Sequence, residues 1–237
     1  SGRLSSRDNL LLPYLAQKLV EIEPGFENLI GFNPSQSPSP AALIASGSTN
    51  TARYHLQDFG HLPAIIRKTR ISPAVINGTE TKRQLTGLAG DILHYYGMGC
   101  RSVSSILVPQ GYDPSQLAET IRGYHDLDPN PALESNLRYQ KARLKLLEIP
   151  FIDAGPVLLV SHPTLHSPVG TVNLLEYSTV DSLSHFLAGN KGSIQCVAGN
   201  APPEFNPVPF GAAQQPALWD YADGIDTLAF LHSIREP

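Results

Sequence analysis

Short apolar runs alternate along the chain with segments in which apolar residues recur every three or four positions. The first pattern is typical of buried strands and the second of amphipathic helices. The predicted strands cover residues 42–45, 72–77, 103–108, 157–160, 172–177 and 194–197. The predicted helices run from a Ser6 cap to Pro24, from a Thr79 cap to Tyr96, and over residues 51–56, 114–124, 131–147 and 180–187. This alternation predicts an α/β fold.

The turn Ser46-Gly47-Ser48-Thr49-Asn50 joins the first predicted strand to the helix that follows it. A turn in this position can present backbone N–H groups and a helix N-terminus to the pyrophosphate of a nucleotide. Gly47, Ser48 and Thr49 are therefore candidate cofactor-binding residues. A plain turn has the same composition, so the pattern by itself leaves both interpretations open.

Composition and charge argue against several classes of partner. Hydrophobic residues make up 41% of the chain and charged residues 16%, which is typical of a folded globular protein. The net charge of −4 and the lack of long Lys/Arg runs argue against a nucleic-acid partner. The apolar runs are far shorter than the roughly 20 residues of a membrane span. Because the N-terminus also lacks the pattern of a signal peptide, we expect a cytoplasmic protein.

The cysteines, Cys100 and Cys196, are too few for a disulfide framework and lack metal-ligand spacing, so we predict two free thiols and no metal. Cys100 lies in Gly97-Met98-Gly99-Cys100-Arg101-Ser102. Glycines there expose the thiol, and Arg101 could favour the thiolate, which is the nucleophilic form. A small packed residue is the alternative interpretation for Cys100, and it is the one we predict for Cys196, which lies in an apolar run.

Five segments of the chain carry a resemblance to one family of enzymes. They are residues 44–54, 66–75, 97–104, 108–113 and 220–227. Together they resemble, in the expected order, the acyl-CoA reductases of the bacterial luminescence type, a branch of the aldehyde dehydrogenase superfamily. The resemblance implies an aldehyde dehydrogenase-like fold, with a partial Rossmann-like nucleotide-binding domain and an α/β catalytic domain that carries the nucleophilic cysteine.

The resemblance also implies a reaction for Cys100. In that family the cysteine thiolate attacks the carbonyl of a fatty acyl-CoA and expels CoA, and hydride from a nicotinamide then reduces the thioester to the aldehyde. Cys100 occupies the position of that cysteine. Its backbone N–H could supply one donor to the developing oxyanion, and the resemblance places a second donor, an asparagine, upstream of Ser1.

Arg67 departs from the pattern of the wider superfamily. Hydrolytic aldehyde dehydrogenases carry a glutamate there that activates water, whereas this chain has Arg67 in Arg67-Lys68-Thr69-Arg70-Ile71-Ser72-Pro73. A cation cannot act as that base, so the thioester would persist until it meets CoA or hydride. A solvated basic stretch is the alternative interpretation of Arg67, Lys68 and Arg70.

The resemblance implies cofactor contacts at both ends of the nucleotide. It places Gly47 and Ser48 against the phosphates. Arg3-Leu4-Ser5-Ser6 is similar to a Lys-Pro-Ser-Glu segment near the adenosine ribose, with Ser6 in place of the glutamate. Loss of that carboxylate, together with Arg3, favours NADPH over NADH, although Ser6 is also explained as a helix cap. Thr164 stands where the superfamily has a glutamate that contacts the nicotinamide ribose.

The resemblance divides the chain into three regions. We expect residues 1–66 to form part of the nucleotide-binding domain, 67–198 the catalytic domain, and 199–237 a C-terminal segment that returns to the nucleotide-binding domain. A large N-terminal part of the enzyme is then expected to precede Ser1, so the chain alone would lack full activity. We also expect a homo-oligomer that binds fatty acyl-CoA, with an acyl-transfer protein as a partner.

Two other functions remain open from the sequence. One is a cysteine acyltransferase or thioesterase that uses Cys100 without a nucleotide, and the other is a non-catalytic subunit of an acyl-reductase complex. His94 could orient or deprotonate Cys100, although a packed histidine is the alternative. Asp220 and Asp223 suggest acid/base chemistry, but their place near the C-terminus favours roles in turns and caps.

Overall fold

The computed structural model describes residues 4, 9–32 and 40–234, so the predictions for Arg3, Ser5 and Ser6 lie outside the described residues. The helices are α1 (Leu11–Ile22), α2 (Thr49–Phe59), α3 (Lys82–Leu93), α4 (Ser115–Arg122), α5 (Pro131–Leu146), α6 (Val180–Asn190) and α7 (Thr227–Ser233). The strands are β1 (Leu43–Ser46), β2 (Ala64–Arg67), β3 (Ser72–Val75), β4 (Val103–Pro109), β5 (Phe151–Asp153), β6 (Leu158–Ser161), β7 (Thr171–Tyr177) and β8 (Ala198–Gly199). The predicted α/β class is confirmed.

Strands β1 and β2 form a small parallel sheet in which Leu43 pairs with Ala64 and Ser46 with Arg67. Helix α2 connects them, as parallel neighbours require a crossover segment. Ala52 on α2 and Ile65 on β2 are buried at this packing surface. Strand β2 was not predicted, because its apolar run is only three residues long.

Six strands form the larger sheet, in the order β5-β6-β7-β4-β3-β8. All neighbouring pairs are parallel except β5 and β6, which are antiparallel. Strand β3 is buried throughout, and β4 and β7 are buried along most of their length, as expected of parallel strands that are covered on both faces.

Helices cover this sheet on both faces. Alternate residues of β4 point to opposite sides: Ile106 belongs to the core beneath α3 and α4, and Leu107 to the core beneath α6. Leu88 of α3 and Leu187 of α6 are fully buried in these two layers. Within the described residues, no helix is both long and apolar enough to cross a membrane.

Helix α3 begins later and ends earlier than the helix predicted from the Thr79 cap to Tyr96. Its cap is Thr81, whose hydroxyl accepts a hydrogen bond from the Gln84 N–H, while the Gln84 side chain accepts from the Thr81 N–H at 2.9 Å. Thr79 instead donates its hydroxyl to the Asn77 side chain in the preceding turn. The α-helix ends at Leu93 because the His94 backbone is extended, with ψ at 141°, and Tyr95 and Tyr96 are left-handed.

The predicted strand at residues 194–197 is wrong in its position. Only Ile194 forms an isolated bridge, with Ile71, and the regular strand is β8. The Cys196 N–H bonds to the Ser72 hydroxyl rather than to a backbone carbonyl, which interrupts the ladder between these points. Strand β5 and helix α7 were not predicted.

Candidate active site

Cys100 is exposed in the loop between α3 and β4. The Ser102 side chain fixes this loop: its hydroxyl accepts from the Gly99 N–H at 3.2 Å and donates to the His94 carbonyl at 3.3 Å. Gln214, far away in sequence, donates to the same hydroxyl at 3.1 Å. The loop is therefore held by contacts on both sides of Cys100.

The backbone just before Cys100 is left-handed. Tyr95, Tyr96 and Gly97 have φ values of 55°, 57° and 69°. This region costs non-glycine residues of the order of 1–3 kcal/mol each, and it persists only where surrounding contacts enforce it. The left-handed run ends α3 abruptly and turns the chain toward the exposed thiol.

A hydrogen-bond bridge joins Cys100 to Cys196 through Ser72. The Ser72 hydroxyl donates to the Cys100 carbonyl at 2.8 Å and lies 3.2 Å from the Cys196 sulfur. Because a serine hydroxyl has one proton, the Cys196 thiol must donate to Ser72 when that proton is used on Cys100. Burial raises the pKa of Cys196, which keeps this thiol protonated. Cys196 therefore has the surroundings of a packed thiol and Cys100 those of an accessible one.

Cys100 lines a cavity of about 340 Å³. Most of the side chains around it are polar or charged, and several are arginines. Its other lining residues are Ser46, Arg67, Lys68, Arg70, Arg101, Gln195, Pro216, Asp220, Ala222 and Asp223. The structure thus brings Arg67, at the end of β2, to the same cavity as the thiol.

The basic stretch after β2 is only partly solvated. Arg70 is half-buried and forms an ion pair with Asp223 at 3.0 Å, and it also donates to the Ile194 carbonyl at 3.0 Å. Arg67 donates from Nη2 to the Thr227 hydroxyl at 3.0 Å. Its Nε is buried and has no hydrogen-bond partner among the described residues. Only Lys68 is exposed, so the solvated interpretation fits Lys68 and does not fit the two arginines.

Arg101 and Asp91 hold the C-terminal segment against the cysteine loop. The Arg101 Nε donates to the Ala213 carbonyl. Asp91 is buried and accepts from the N–H groups of Gly211 at 2.7 Å and Ala213 at 3.0 Å. Burial raises the pKa of Asp91, and these two hydrogen bonds oppose the rise in part. Asp91 was not predicted as a functional residue, because its place in the sequence is that of an ordinary polar residue in a helix.

The candidate nucleotide turn lies at the carboxyl end of β1. Ser48 caps α2 and accepts from the Thr51 N–H at 3.2 Å. A Cβ on Gly47 would lie 3.0 Å from the Thr51 side chain, so this turn favours glycine. The N–H groups of Thr49 and Asn50, in the first turn of the helix, have no partner within the helix and are available to an anion.

Ser48, Thr49 and Asn50 line a second cavity, of about 510 Å³. Thr164 and His166 also line it. Helix N–H donors, hydroxyls and this volume fit the pyrophosphate and ribose of a dinucleotide. The stretch around Thr164, which the resemblance matches to the nicotinamide ribose, is therefore close to the predicted phosphate turn.

The two cavities lie at the same edge of the β1-β2 sheet. Ser46 and Arg67, the last residues of these strands, line the cavity of Cys100, and Ser48 and Thr69 line the second one. Ligands of open parallel sheets bind at the carboxyl ends of the strands. A dinucleotide with its phosphates at α2 could therefore direct its reactive end toward Cys100.

The remaining candidates make other contacts. The His94 Nε2 bonds to the Tyr124 hydroxyl at 2.8 Å, and His94 does not line the cavity of Cys100. Asp220 accepts from the Ala217 N–H at 3.0 Å, as expected of a turn residue. Across the described ranges, no cluster of His, Cys, Asp and Glu could hold a metal ion.

Comparison with known proteins gives structural matches only: no family model and no curated protein sequence matches the chain. A proline utilization A variant from Bradyrhizobium japonicum matches with a TM-score of 0.59 and 15% identity, over 78% of this chain and 24% of that one. Aldehyde dehydrogenase C from Pseudomonas syringae, in complex with NAD+ and octanal, matches with a TM-score of 0.51 and 10% identity, over 68% of this chain and 41% of that one. The chain therefore spans less than half the length of these proteins. The likeness shows the predicted aldehyde dehydrogenase fold.

Proposed function

We propose that this chain, which has the aldehyde dehydrogenase fold, carries the thiol-bearing part of an oxidoreductase of the aldehyde dehydrogenase superfamily. The reaction that we assign to it is the NAD(P)H-dependent reduction of long-chain fatty acyl-CoA to fatty aldehyde. The observation that supports it best is the exposed Cys100 thiol, in a cavity at the strand edge that also carries the predicted phosphate-binding turn.

Cys100 acts as the nucleophile in this proposal. Its thiolate forms a bond to the carbonyl carbon of the acyl-CoA, the carbon–sulfur bond to CoA breaks, and the released CoA thiolate takes up a proton from solvent. The Cys100 N–H faces the oxyanion of the intermediate, and the Ser72 bond to the Cys100 carbonyl holds this peptide in place. The nicotinamide, when bound, supplies the hydride that reduces the Cys100 thioester.

The charges of the cavity support reduction over hydrolysis. A hydrolytic enzyme needs a free carboxylate or imidazole to activate water. Asp223 is instead paired with Arg70, and Asp220 accepts a backbone N–H in its turn. With Arg67 at the end of β2, the thioester on Cys100 would last long enough to be reduced.

NADPH is the proposed cofactor. Gly47, Ser48 and Thr49 would hold its pyrophosphate through the first turn of α2, and the resemblance of the segment from Arg3 to Ser6 implies that Arg3 and Ser5 recognise the 2′-phosphate. Titration followed by nicotinamide fluorescence should give a lower Kd for NADPH than for NADH, and Arg3→Gln should narrow the difference. Tighter binding of NADH by the unmodified chain would contradict this preference.

The fate of a preformed thioester tests the reaction. The chain is loaded with palmitoyl-CoA, freed of excess substrate and then given NADPH. We expect loss of the thioester with formation of hexadecanal in the presence of NADPH only. Release of palmitic acid at the same rate without NADPH would instead identify a thioesterase.

A homo-oligomer, an acyl-transfer partner and a cytoplasmic location also stay proposals.

A further inference from the structure

The cavity of Cys100 carries an excess of positive charge. Four cationic side chains line it against two carboxylates, those of Asp220 and Asp223. The lining has few apolar side chains, and several of its charged groups are half-buried. Charges in such a partly desolvated cavity act more strongly on a ligand than they would in water.

Among the four cations of this cavity, Arg67 has a buried N–H donor without a partner in the described residues. Arg70 is paired with Asp223, the Arg101 Nε donates to a backbone carbonyl, and Lys68 is exposed to solvent. The Nε–H of Arg67 is buried and has no partner within the described parts of the chain, while Nη2 is fixed by Thr227. Buried donors are rarely left unpaired in proteins, so we expect this N–H to bind an acceptor that is not among the described residues.

We propose that Arg67 binds an anionic oxygen of the substrate, next to the carbon that Cys100 attacks. The guanidinium is always charged, and its planar set of N–H donors suits an oxyanion or a carboxylate. The anionic oxygen has two sources: the carbonyl oxygen of the proposed fatty acyl thioester, which becomes negative when the thiolate adds, or a fixed carboxylate on a dicarboxylic acyl group, which would replace the fatty acyl group as the substrate. The assignment of this oxygen to a thioester rests on the proposed function. Arg67 is then a catalytic residue that faces the reacting group.

Two alkylating reagents test the anion site without any cofactor. Iodoacetate and iodoacetamide react with a thiol at the same kind of carbon but differ in charge. The rate constants at Cys100 are followed by peptide mass spectrometry. Their ratio reports whether the cavity favours the anionic reagent over the neutral one. We expect Arg67→Gln to lower the iodoacetate rate about tenfold, the scale of one charge-assisted hydrogen bond, and to change the iodoacetamide rate much less.

Three further variants separate charge from structure. Arg83→Gln, on the exposed surface of α3, removes one positive charge outside the cavity and should leave the ratio unchanged. Thr227→Val removes the Arg67 contact but keeps the guanidinium, and it should also leave the ratio near that of the unmodified chain. Arg67→Lys keeps the charge and should retain part of the preference. Equal changes of both rates in Arg67→Gln would overturn the proposal.

Acylation rates distinguish the two sources of the anionic oxygen. If the carbonyl oxygen is bound, Arg67→Gln slows acylation of Cys100 by palmitoyl-CoA. If a fixed carboxylate is bound, it slows only acylation by succinyl-CoA. An unchanged alkylation ratio with normal thioester formation would end the Arg67 proposal and leave the proposed function standing. A lowered alkylation ratio without any thioester would support the anion site at Arg67 and contradict the proposed function.

Discussion

Asp91 joins helix α3, which leads into the loop of Cys100, to the C-terminal segment. We expect Asp91→Asn to lower the free energy of unfolding by about 1–3 kcal/mol, because an amide can accept at one oxygen only and its NH2 group would face a second donor. Urea denaturation measures this loss. Asp58→Asn, at an exposed position of α2, is the matched control. Equal stability of the Asp91 variant and this control would contradict the role given to Asp91.

Tyr112 gives the fold a dependence on alkaline pH. Burial, with the nearby charges of Glu80 and Asp113, raises its pKa to about 12 from an ordinary value of 10.0. Below the ordinary value, both the folded and the unfolded chain keep the phenol proton. Between the two values only the unfolded chain releases it, so the free energy of unfolding falls as pH rises.

The expected effect of Tyr112→Phe is a shallower loss of stability as the pH rises from about 10 to about 12. Denaturant titrations across that range, compared with Tyr139→Phe as the control, measure it. Tyr139 is 63% exposed, so its removal should leave the pH dependence as it is in the unmodified chain. A slope that Tyr112→Phe does not change would show that the phenol ionises as it does in the unfolded chain.

Single residues also show the limit of the sequence analysis. Cys100 and Arg67 could be singled out because their residue types and the segments around them are distinctive. Asp91 and Ser72 could not, because their roles depend on partners far along the chain: Gly211 lies 120 residues from Asp91, and Cys196 lies 124 residues from Ser72. A hydrogen bond between such distant residues leaves no local pattern.

Helix α3 and the segment at Phe210 approach each other closely at Gly87, so a substitution there tests how these two elements pack. A Cβ on Gly87 would lie 2.8 Å from the Phe210 carbonyl oxygen, which is backbone and cannot turn aside. We therefore expect Gly87→Ala to destabilise the fold by about 1–3 kcal/mol, although alanine is the better helix former.

Gly189→Ala is the matched control for that prediction. Gly189 also lies in a helix, α6, but a Cβ there would meet nothing within 4 Å. This substitution should raise the free energy of unfolding by roughly 0.5–1 kcal/mol. Thermal or urea unfolding compares the two variants, and effects of the same sign would contradict the close approach at Gly87.

The elements that the sequence predicted are those with a long or well-separated pattern. Strands β4 and β7 and helices α4 and α5 lie close to their predicted bounds. Strand β5 has three residues, β8 has two, and the apolar run of β2 has three, so none of them is long enough to show a periodic pattern. Helix α7 was also not predicted, because it is short and follows a turn-rich stretch. Its contact with Arg67 joins residues that are far apart in sequence, so it leaves no local pattern.

At the scale of the whole molecule, the C-terminal segment completes the cavity of Cys100. Asp223 and Thr227 contact Arg70 and Arg67, and Gly211 and Ala213 are held by Asp91. The sequence resemblance predicted the aldehyde dehydrogenase fold, which the structural matches confirm. It did not predict that this segment would pair with the basic stretch after β2. The division into three regions stays a prediction.

The location of an acyl adduct is the most direct test of Cys100 as the nucleophile. The chain is incubated with palmitoyl-CoA, digested and analysed by peptide mass spectrometry, with Cys100→Ser and Cys196→Ser variants in parallel. We expect a hydroxylamine-sensitive palmitoyl thioester on Cys100, absent from Cys100→Ser and retained in Cys196→Ser. An adduct on Cys196 alone, or no adduct on either thiol, would contradict it.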